Sequence, residues 1–396
     1  MEQKQLQEFI NYHDPYTAAR VQRHQNDVKN GELIIWFDST LQNVDFTEHL
    51  NISKLIVDHC ENVIISPLPH ITELFLISCN LTTLNNLPLN IINLDITHNK
   101  ITDLSVLSQI KTLKQLQIDG NKNLNLKTLN NNNITELQMN AIQCESLEGI
   151  SQHTNLTKLI FNYNQISDLE PIKNMNKLNI LWASSNKIVK MQPIKQLSQL
   201  KELLINNNKI QDLNPLTDLN MLEKLVLSAN EIINTEPLRK MNQLLILDLA
   251  GNKITDLEPL RELVHMQELG LNFNRIINVK PLEKMIQLKL LNLYSNYIQN
   301  MNPILHLKIF ENPNQQTLVR EQKLPDHQLL QLNKKYDAVY ASTRFLINMK
   351  NNITQIKYNK TGAINQLRIF VQQAENKLIS QMNISATFFG MYISDQ

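Results

Sequence analysis

The chain has 396 residues, of which 42% are apolar and 19% charged, the balance expected of a folded protein. A formal net charge of +1 argues against a broad electrostatic surface for nucleic acid or membranes, although a local patch is compatible with it. Cys60, Cys79 and Cys144 are too few, and odd in number, for a disulfide framework. A reducing compartment is therefore expected, the cytoplasm first and the nucleus as an alternative.

Residues 1–51 are predicted to form an N-terminal helix and a cap. Apolar residues at helical spacing predict the helix within residues 1–28. The alternation of Leu33, Ile35 and Phe37 predicts a strand in the cap that follows. The N-terminus lacks the apolar segment of a secretory signal, and the chain has no uninterrupted apolar run of ~18 residues. Neither a signal peptide nor a transmembrane helix is expected.

A 22-residue repeat follows, and two residue types share its period. Asparagine recurs at Asn164, Asn186, Asn208, Asn230, Asn252, Asn274 and Asn296. Proline recurs at Pro171, Pro193, Pro215, Pro237, Pro259, Pro281 and Pro303. Residues 200–219 show the pattern L-x-x-L-x-L-x-x-N-x-I-x-D-L-x-P-L-x-x-L. Such a period indicates stacked structural units, each of which buries its leucines only against its neighbours.

Each position of the unit has a physical role. Leu203 and Ile205 alternate with period two, which predicts a short strand with one buried face. The amide of Asn208 can satisfy backbone groups where the chain leaves the strand. Pro215 blocks a regular helix, so the return segment is expected to be 3₁₀ or extended.

This pattern resembles the leucine-rich-repeat superfamily, and within it the 22-residue class of the protein phosphatase 1 regulatory subunit and the bacterial internalins. Twelve units over residues 52–309 begin at Ile52, Ile71, Ile91, Leu113, Ile134, Leu156, Leu178, Leu200, Leu222, Leu244, Met266 and Leu288. The resemblance implies an α/β repeat solenoid, a horseshoe with a parallel concave sheet, a mostly 3₁₀ or extended convex side and a C-terminal helical extension. Cys60, Cys79 and Ile142 replace the asparagine in units one, two and five, and a local irregularity is expected at Ile142.

Residues 310–396 are predicted to form a C-terminal cap and the helical extension. Asn312-Pro313 and Leu324-Pro325 resemble the cap of the phosphatase-regulator class. Two amphipathic helices are predicted from apolar residues at helical spacing, namely Leu329, Leu332, Tyr336, Val339, Leu346 and Met349, then Ile364, Leu367, Val371, Ala374 and Leu378. These helices could pack on the last repeats or form a coiled coil that binds a partner or a second copy.

No catalytic motif is present, so the chain is not expected to be an enzyme or to hold a cofactor or metal. Its seven glycines are scattered, and it has no H-E-x-x-H, G-x-S-x-G or paired C-x-x-C sequence. The acids at one position of the outer turn, Asp103, Asp168, Asp212 and Asp256, are predicted to cap turns.

A candidate binding site comes from the position that the repeat leaves free, between the last two leucines of L-x-x-L-x-L. Four consecutive units carry apolar residues there, Ile160, Trp182, Leu204 and Val226, where other units carry polar ones. Tyr163, Phe273 and Tyr294 lie one or two positions beyond the strands. Exposed tryptophan among apolar and aromatic residues is typical of a protein-binding hot spot. The alternatives are that the C-terminal helices cover these residues, or that they are scattered surface apolars.

The sequence therefore predicts a protein-interaction scaffold or adaptor that binds a partner protein on the concave face. The narrower alternative is a regulatory subunit of a protein phosphatase, and a different class is a cytoskeletal protein that assembles through its C-terminal helices. No nucleic-acid or membrane partner is expected, and self-association through those helices is possible.

Overall fold

The computed structural model describes residues 32–36, 45–46, 53–59, 63–65, 70–298 and 300–308. The predicted N-terminal helix, the C-terminal cap and both C-terminal helices lie outside these residues, and so does Cys60. Within the described part, the element order is a strand in every repeat followed, from the third repeat on, by a 3₁₀ turn.

Fifteen strands are present in the described residues: β1 (Glu32–Trp36), β2 (Asp45–Phe46), β3 (Lys54–Asp58), β4 (Ile64–Ile65), β5 (Glu73–Ile77), β6 (Asn93–Asp95), β7 (Gln115–Gln117), β8 (Glu136–Gln138), β9 (Lys158–Ile160), β10 (Ile180–Trp182), β11 (Glu202–Leu204), β12 (Lys224–Val226), β13 (Ile246–Asp248), β14 (Glu268–Gly270) and β15 (Leu290–Asn292). All except β2 and β4 form one sheet in chain order. The short strands β2 and β4 pair with each other.

The sheet is parallel throughout and contains one strand from each of the twelve predicted units, which confirms the predicted solenoid. The thirteenth strand, β1, precedes the first unit and pairs in parallel with β3. Equivalent leucines face each other across the strands, as Leu181, Leu203 and Leu225 do. The pairing register is therefore the same from unit to unit, without a slip.

The strands bury one face and leave the other accessible. Leu203 is 0% exposed, whereas Glu202 and Leu204 on either side of it are half-buried. Leu200, Ile205 and Ile210 complete the inward set of that unit, and all are buried. The core is thus one continuous cluster of buried side chains, mostly leucine and isoleucine, that runs through all the units.

Short 3₁₀ helices form the return path opposite the sheet: Ser105–Gln109, Leu126–Thr128, Glu148–Ile150, Glu170–Ile172, Gln192–Gln196, Asn214–Leu216, Glu236–Leu238, Glu258–Leu260, Lys280–Leu282 and Asn302–Ile304. The repeating proline lies in their first turn, where its missing N–H removes no bond. The carboxylate of Asp212 accepts the N–H of Asn214 at 2.9 Å. Asp103, Asp168 and Asp256 do the same in their units, which confirms turn capping.

An asparagine ladder joins consecutive coils of the backbone. Its described members are Asn99, Asn121, Asn164, Asn186, Asn208, Asn230, Asn252, Asn274 and Asn296. The Nδ2 of Asn208 donates to the carbonyl of Ile205 in its own unit and to that of Ala183 in the preceding one. Its Oδ1 accepts the N–H of Ile188, 20 residues earlier. Each amide therefore completes the hydrogen bonding of the coil before it.

Two departures from the ladder show what it requires. Cys79 is buried, and its Sγ donates to the carbonyls of Val57 and Ile77, so the thiol replaces the amide as a donor. Ile142 has no donor to offer. The irregularity expected there is confined to the turn, where Ala141 and Gln143 both have positive φ, while β8 still pairs with both neighbours.

Two polar side chains occupy a core position that is apolar in later units. Asn131 donates to the carbonyls of Leu107 and Ile110. One unit later His153 is 0% exposed, with Nδ1 3.3 Å from the carbonyl oxygen of Ile150. Its Nε2 is buried without a hydrogen-bond partner among the described residues. Burial lowers the pKa of His153, so the ring is held neutral in the folded chain.

Leu203→Ala is expected to lower the free energy of unfolding by about 2–5 kcal/mol, because it leaves a cavity in the core shared by adjacent coils. Leu204→Ala, one residue along, removes a half-buried side chain and serves as the matched control with a much smaller loss. Urea denaturation measures both. Equal losses would contradict the assigned register, because a one-residue shift exchanges the two faces of a strand.

Asn208→Ala is expected to destabilise the solenoid by about 1–3 kcal/mol, because it leaves the buried N–H of Ile188 unpaired and removes one of the two amide donors to each of the carbonyls of Ala183 and Ile205. Asn208→Cys should lose less, since a thiol donates at the equivalent position of Cys79. Thermal and urea unfolding of the two variants provide the comparison. A Cys variant as unstable as the Ala variant would show that the donor bonds of Cys79 contribute little.

His153 is expected to make stability fall in mild acid. The unfolded chain takes up a proton near the ordinary histidine pKa of 6.5, whereas the folded chain resists it because the pKa of His153 is lowered. As pH drops below about 6.5, the free energy of unfolding should therefore fall by up to ~1.4 kcal/mol per pH unit from this group. The control is His153→Met, since Met175 fills this position one unit later. Identical pH profiles for wild type and His153→Met would rule out the effect.

Candidate protein-interaction face

The accessible face of the sheet is built from the first and third residues of each short strand. The third residues form a central column: Ile56, Phe75, Asp95, Gln117, Gln138, Ile160, Trp182, Leu204, Val226, Asp248, Gly270 and Asn292. Members on adjacent strands lie about 4.8 Å apart. The predicted apolar residues therefore form a contiguous stripe across β9 to β12.

Burial differs along this stripe. Trp182, Leu204 and Val226 are half-buried and follow one another in register. Ile160, flanked in register by Gln138 and Trp182, is only 2% exposed. The expectation that Ile160 faces solvent is wrong, and its role in binding stays a prediction.

Trp182 is the largest side chain of the stripe, and its polar end has no partner among the described residues. Its Nε1 is buried and makes no hydrogen bond. A buried indole N–H usually donates to an acceptor, so an unpaired one carries a desolvation cost.

The three predicted aromatic residues lie at two places. Tyr163 follows β9 at the end of the stripe and is 50% exposed. Phe273 and Tyr294 follow β14 and β15, where their rings meet edge to face with centroids 5.5 Å apart. Tyr294 is only 6% exposed, so the expectation of an open surface is wrong for it as well. The three aromatics do not form one cluster.

Tyr163 and Phe273 occupy a position where the backbone is left-handed in every described unit. Their φ angles are 59° and 56°, and Gly120 and Gly251 fill the same position in other units. A bulky residue in this region is disfavoured by ~1–2 kcal/mol. Local backbone preference therefore does not account for aromatic side chains there; Phe273 packs edge to face on Tyr294, and Tyr163 is half exposed.

A polar row runs beside the stripe, two residues beyond the end of each strand, and it includes Asp119, Asn140, Asn162, Ser184 and Asn206. The side chain of Asn140 accepts the N–H of Asn162 at 2.7 Å, and that of Asn162 accepts the N–H of Ser184 at 2.8 Å. Asp119 begins the row by accepting the N–H of Asn140. Two of these bonds satisfy the backbone beside the apolar column residues Ile160 and Trp182.

At Asp95 and Asp248 the side chain of the column residue itself accepts the equivalent N–H. The carboxyl of Asp95 accepts the N–H of Thr97 at 2.9 Å, and that of Asp248 accepts the N–H of Ala250 at 3.0 Å. Burial raises the pKa of both carboxyls, against the lowering effect of these hydrogen bonds. The sequence pattern did not reveal this division; the recurrence of Asn and Ser after the strand was its only signal.

Charged pairs flank the stripe in the first column of the face. Glu136 and Lys158 lie 3.7 Å apart, and Glu202 and Lys224 lie 2.8 Å apart, each pair on neighbouring strands. Exposed pairs of this kind contribute less than ~1 kcal/mol each. They neutralise the surface around the stripe.

Other chemistry was searched for in the described residues. Those residues contain no group of three or more histidine, cysteine, aspartate or glutamate side chains placed to hold a metal ion. None of their helices combines the length and apolar character needed to cross a bilayer.

Comparison with known proteins points to one superfamily. Residues 154–196 match the family model described as "Leucine Rich repeats (2 copies)". An internalin (inlF) from Listeria monocytogenes is 26% identical, with 70% of this chain and 85% of that chain covered and a TM-score of 0.64. The chain belongs to the leucine-rich-repeat superfamily. No curated protein matches it in sequence.

Two further leucine-rich-repeat structures are similar. Internalin C2 from Listeria monocytogenes is 31% identical over 45% of this chain and 79% of that chain, with a TM-score of 0.44. A leucine-rich-repeat protein of Leptospira interrogans is 23% identical over 66% of each chain, with a TM-score of 0.51, and shows the fold alone. Leucine-rich-repeat proteins generally mediate protein–protein interaction and are typically not enzymes. The narrower resemblance to the phosphatase 1 regulatory subunit stays a prediction.

Proposed function

We propose that this leucine-rich-repeat protein is an interaction scaffold that binds a partner protein on the accessible face of its sheet. The observation that carries the proposal is the stripe of Trp182, Leu204 and Val226. The fold buries its leucines on the other face and accepts polar residues in this column, as Gln117 and Asn292 show. Apolar residues here therefore gain their full burial only when a partner covers them.

Three features of the face support the proposal. The polar row supplies the backbone bonds next to the stripe, so the apolar column leaves no unpaired N–H at Asn162 or Ser184. Rigid parallel strands hold the side chains in fixed register, which limits the conformational entropy lost on binding. Trp182, half-buried on this face, supplies the largest apolar area of the stripe.

Trp182→Ala is expected to weaken binding of the physiological partner by ~2 kcal/mol or more, about 30-fold in Kd. Its unfolding midpoint should fall less than that of Leu181→Ala, because Trp182 is half-buried and Leu181 fully buried. The partner is first identified by affinity purification of the intact chain, and calorimetry then gives both affinities. A phosphatase among the bound proteins would favour the narrower regulatory role.

The matched control is Ile233→Ala. Ile233 is 62% exposed but lies in the turn after β12, away from the sheet face. Its loss should leave the affinity unchanged. Unaltered affinity in Trp182→Ala, or an equal loss in Ile233→Ala, would contradict binding at the stripe.

A further inference from the structure

Two side-chain amides of the polar row have a free donor group beside the apolar stripe. The Oδ1 of Asn162 accepts the N–H of Ser184 at 2.8 Å, and the Oδ1 of Asn206 accepts the hydroxyl of Ser184. Because only the oxygen of an amide can accept a backbone N–H, the orientation of the Asn162 amide is fixed. The Nδ2 of Asn162 and that of Asn206 donate to no described residue, and both side chains are half-buried. Each amide is therefore held through its oxygen and keeps its donors for a molecule on the face.

The two amides lie on either side of Trp182. Asn162 follows β9 and Asn206 follows β11, whereas Trp182 ends β10 between them. Ile205 is buried, so Leu204 before it and Asn206 after it share the accessible face. Two strand steps separate Asn162 from Asn206, about 9.6 Å at ~4.8 Å for each step. The face thus presents two donors at this spacing, parallel to the apolar stripe.

On its other side, the stripe is bordered by the first column of the face, which favours an uncharged ligand. From β10 to β13 this column carries Ile180, Glu202, Lys224 and Ile246 in register. The two isoleucines are half-buried and widen the apolar surface. Glu202 and Lys224 pair with each other at 2.8 Å, so each already has its counter-charge. A charged residue of a ligand would gain little from meeting a completed ion pair.

The spacing of the two donors distinguishes between the backbone conformations of a bound segment. An α-helix satisfies its own carbonyl groups and has none to offer along its length. An extended strand directs every second carbonyl to the same side, at intervals of about 6.6 Å. A polyproline II segment has no internal hydrogen bonds, and its three residues per turn place the carbonyls of residues i and i+3 on one side, about 9.3 Å apart. Of these conformations, polyproline II fits donors that lie about 9.6 Å apart.

We propose that the accessible face binds an uncharged, proline-rich segment of the partner protein, which lies in polyproline II conformation across β9 to β12. The inference rests on the proposed function, because the same segment covers Trp182. The Nδ2 groups of Asn162 and Asn206 donate to carbonyls one turn apart. Trp182 and Val226 are likewise two strands apart, so side chains one turn apart contact both. A segment that already has this conformation loses little conformational entropy on binding.

The test measures binding of fluorescent peptides to the full chain by polarisation. The periodic peptide consists of three Leu-Pro-Pro triplets, about 28 Å long in polyproline II conformation, with all its leucines on one side. The first matched peptide has the same composition but carries its leucines at alternate positions, which places them on different sides. The second keeps the leucines and has alanine in place of every proline. Wild type is expected to bind the periodic peptide about tenfold more tightly than either match.

Two substitutions remove the donors and keep the fold. Asn162→Asp and Asn206→Asp each lose the Nδ2 group but retain the oxygen to which Ser184 is bonded. The row accepts aspartate, since the carboxylate of Asp119 takes the N–H of Asn140 at 2.7 Å. Each variant should bind the periodic peptide about three- to tenfold more weakly, because it lacks one hydrogen bond. Its unfolding midpoint should stay close to that of wild type.

The matched control is Asn272→Asp. Asn272 has the same position in the row, two residues beyond β14, and is half-buried like the other two. It lies three strands from Asn206, about 14 Å, which is one and a half turns of polyproline II and therefore out of phase with the carbonyls. Its substitution should leave the affinity for the periodic peptide unchanged.

The outcomes distinguish the two proposals. Equal binding of the periodic peptide and a match, lost in Trp182→Ala, overturns the polyproline II segment and leaves the proposed function standing. A periodic preference that survives both Asn162→Asp and Asn206→Asp, or that falls as much in Asn272→Asp, overturns the role of the two amides. A preference that needs both amides but not Trp182 supports them and overturns the role of the stripe. A chain that binds none of the peptides overturns the further inference alone, because Trp182→Ala with the purified partner tests the proposed function separately.

Discussion

The asparagine ladder is the interaction on which the described solenoid depends. Stacked coils must leave a strand through a tight bend, and that bend places carbonyl and N–H groups inside the core. One buried amide per unit, such as Asn208, satisfies groups of two successive coils at once. Leucine burial drives the stacking. The ladder satisfies the backbone groups that the turns would otherwise leave unpaired in a core without water. At Cys79 a thiol takes over the donor role of the amide.

The accessible face of the sheet follows from the same register. Because equivalent residues of all units align, the residues at one repeat position form a continuous line across the sheet. In the central column, Asp95, Asp248 and Asn292 bond their own backbone, whereas beside Ile160 and Trp182 the backbone is bonded by Asn140 and Asn162 of the neighbouring polar row.

Most of the fold could be predicted from the period of the repeat, but less of the accessible face of the sheet could. The spacing of leucine, asparagine and proline was sufficient to predict the strands, their register, the 3₁₀ return path and the turn-capping acids. Burial on the face was not predictable, because it depends on which side chains lie over one another. Ile160 and Tyr294 are buried for that reason. The contact of Asp248 with Gly270 likewise spans 22 residues, and it becomes visible only when the strands are paired.

The ladder also has a direction, and that direction bears on how the chain is made. Oδ1 of Asn208 accepts an N–H that was synthesised 20 residues earlier, and no described amide of the ladder reaches forward in this way. A coil emerging from the ribosome is therefore incomplete until the next one has followed it. As the chain grows from its N-terminus, each new asparagine amide completes the hydrogen bonds of the coil already formed. The coil at the growing end therefore always has hydrogen-bonding groups that are not yet paired. In a stack of any length, the last coil is therefore the one whose backbone N–H lacks an asparagine acceptor from a following coil.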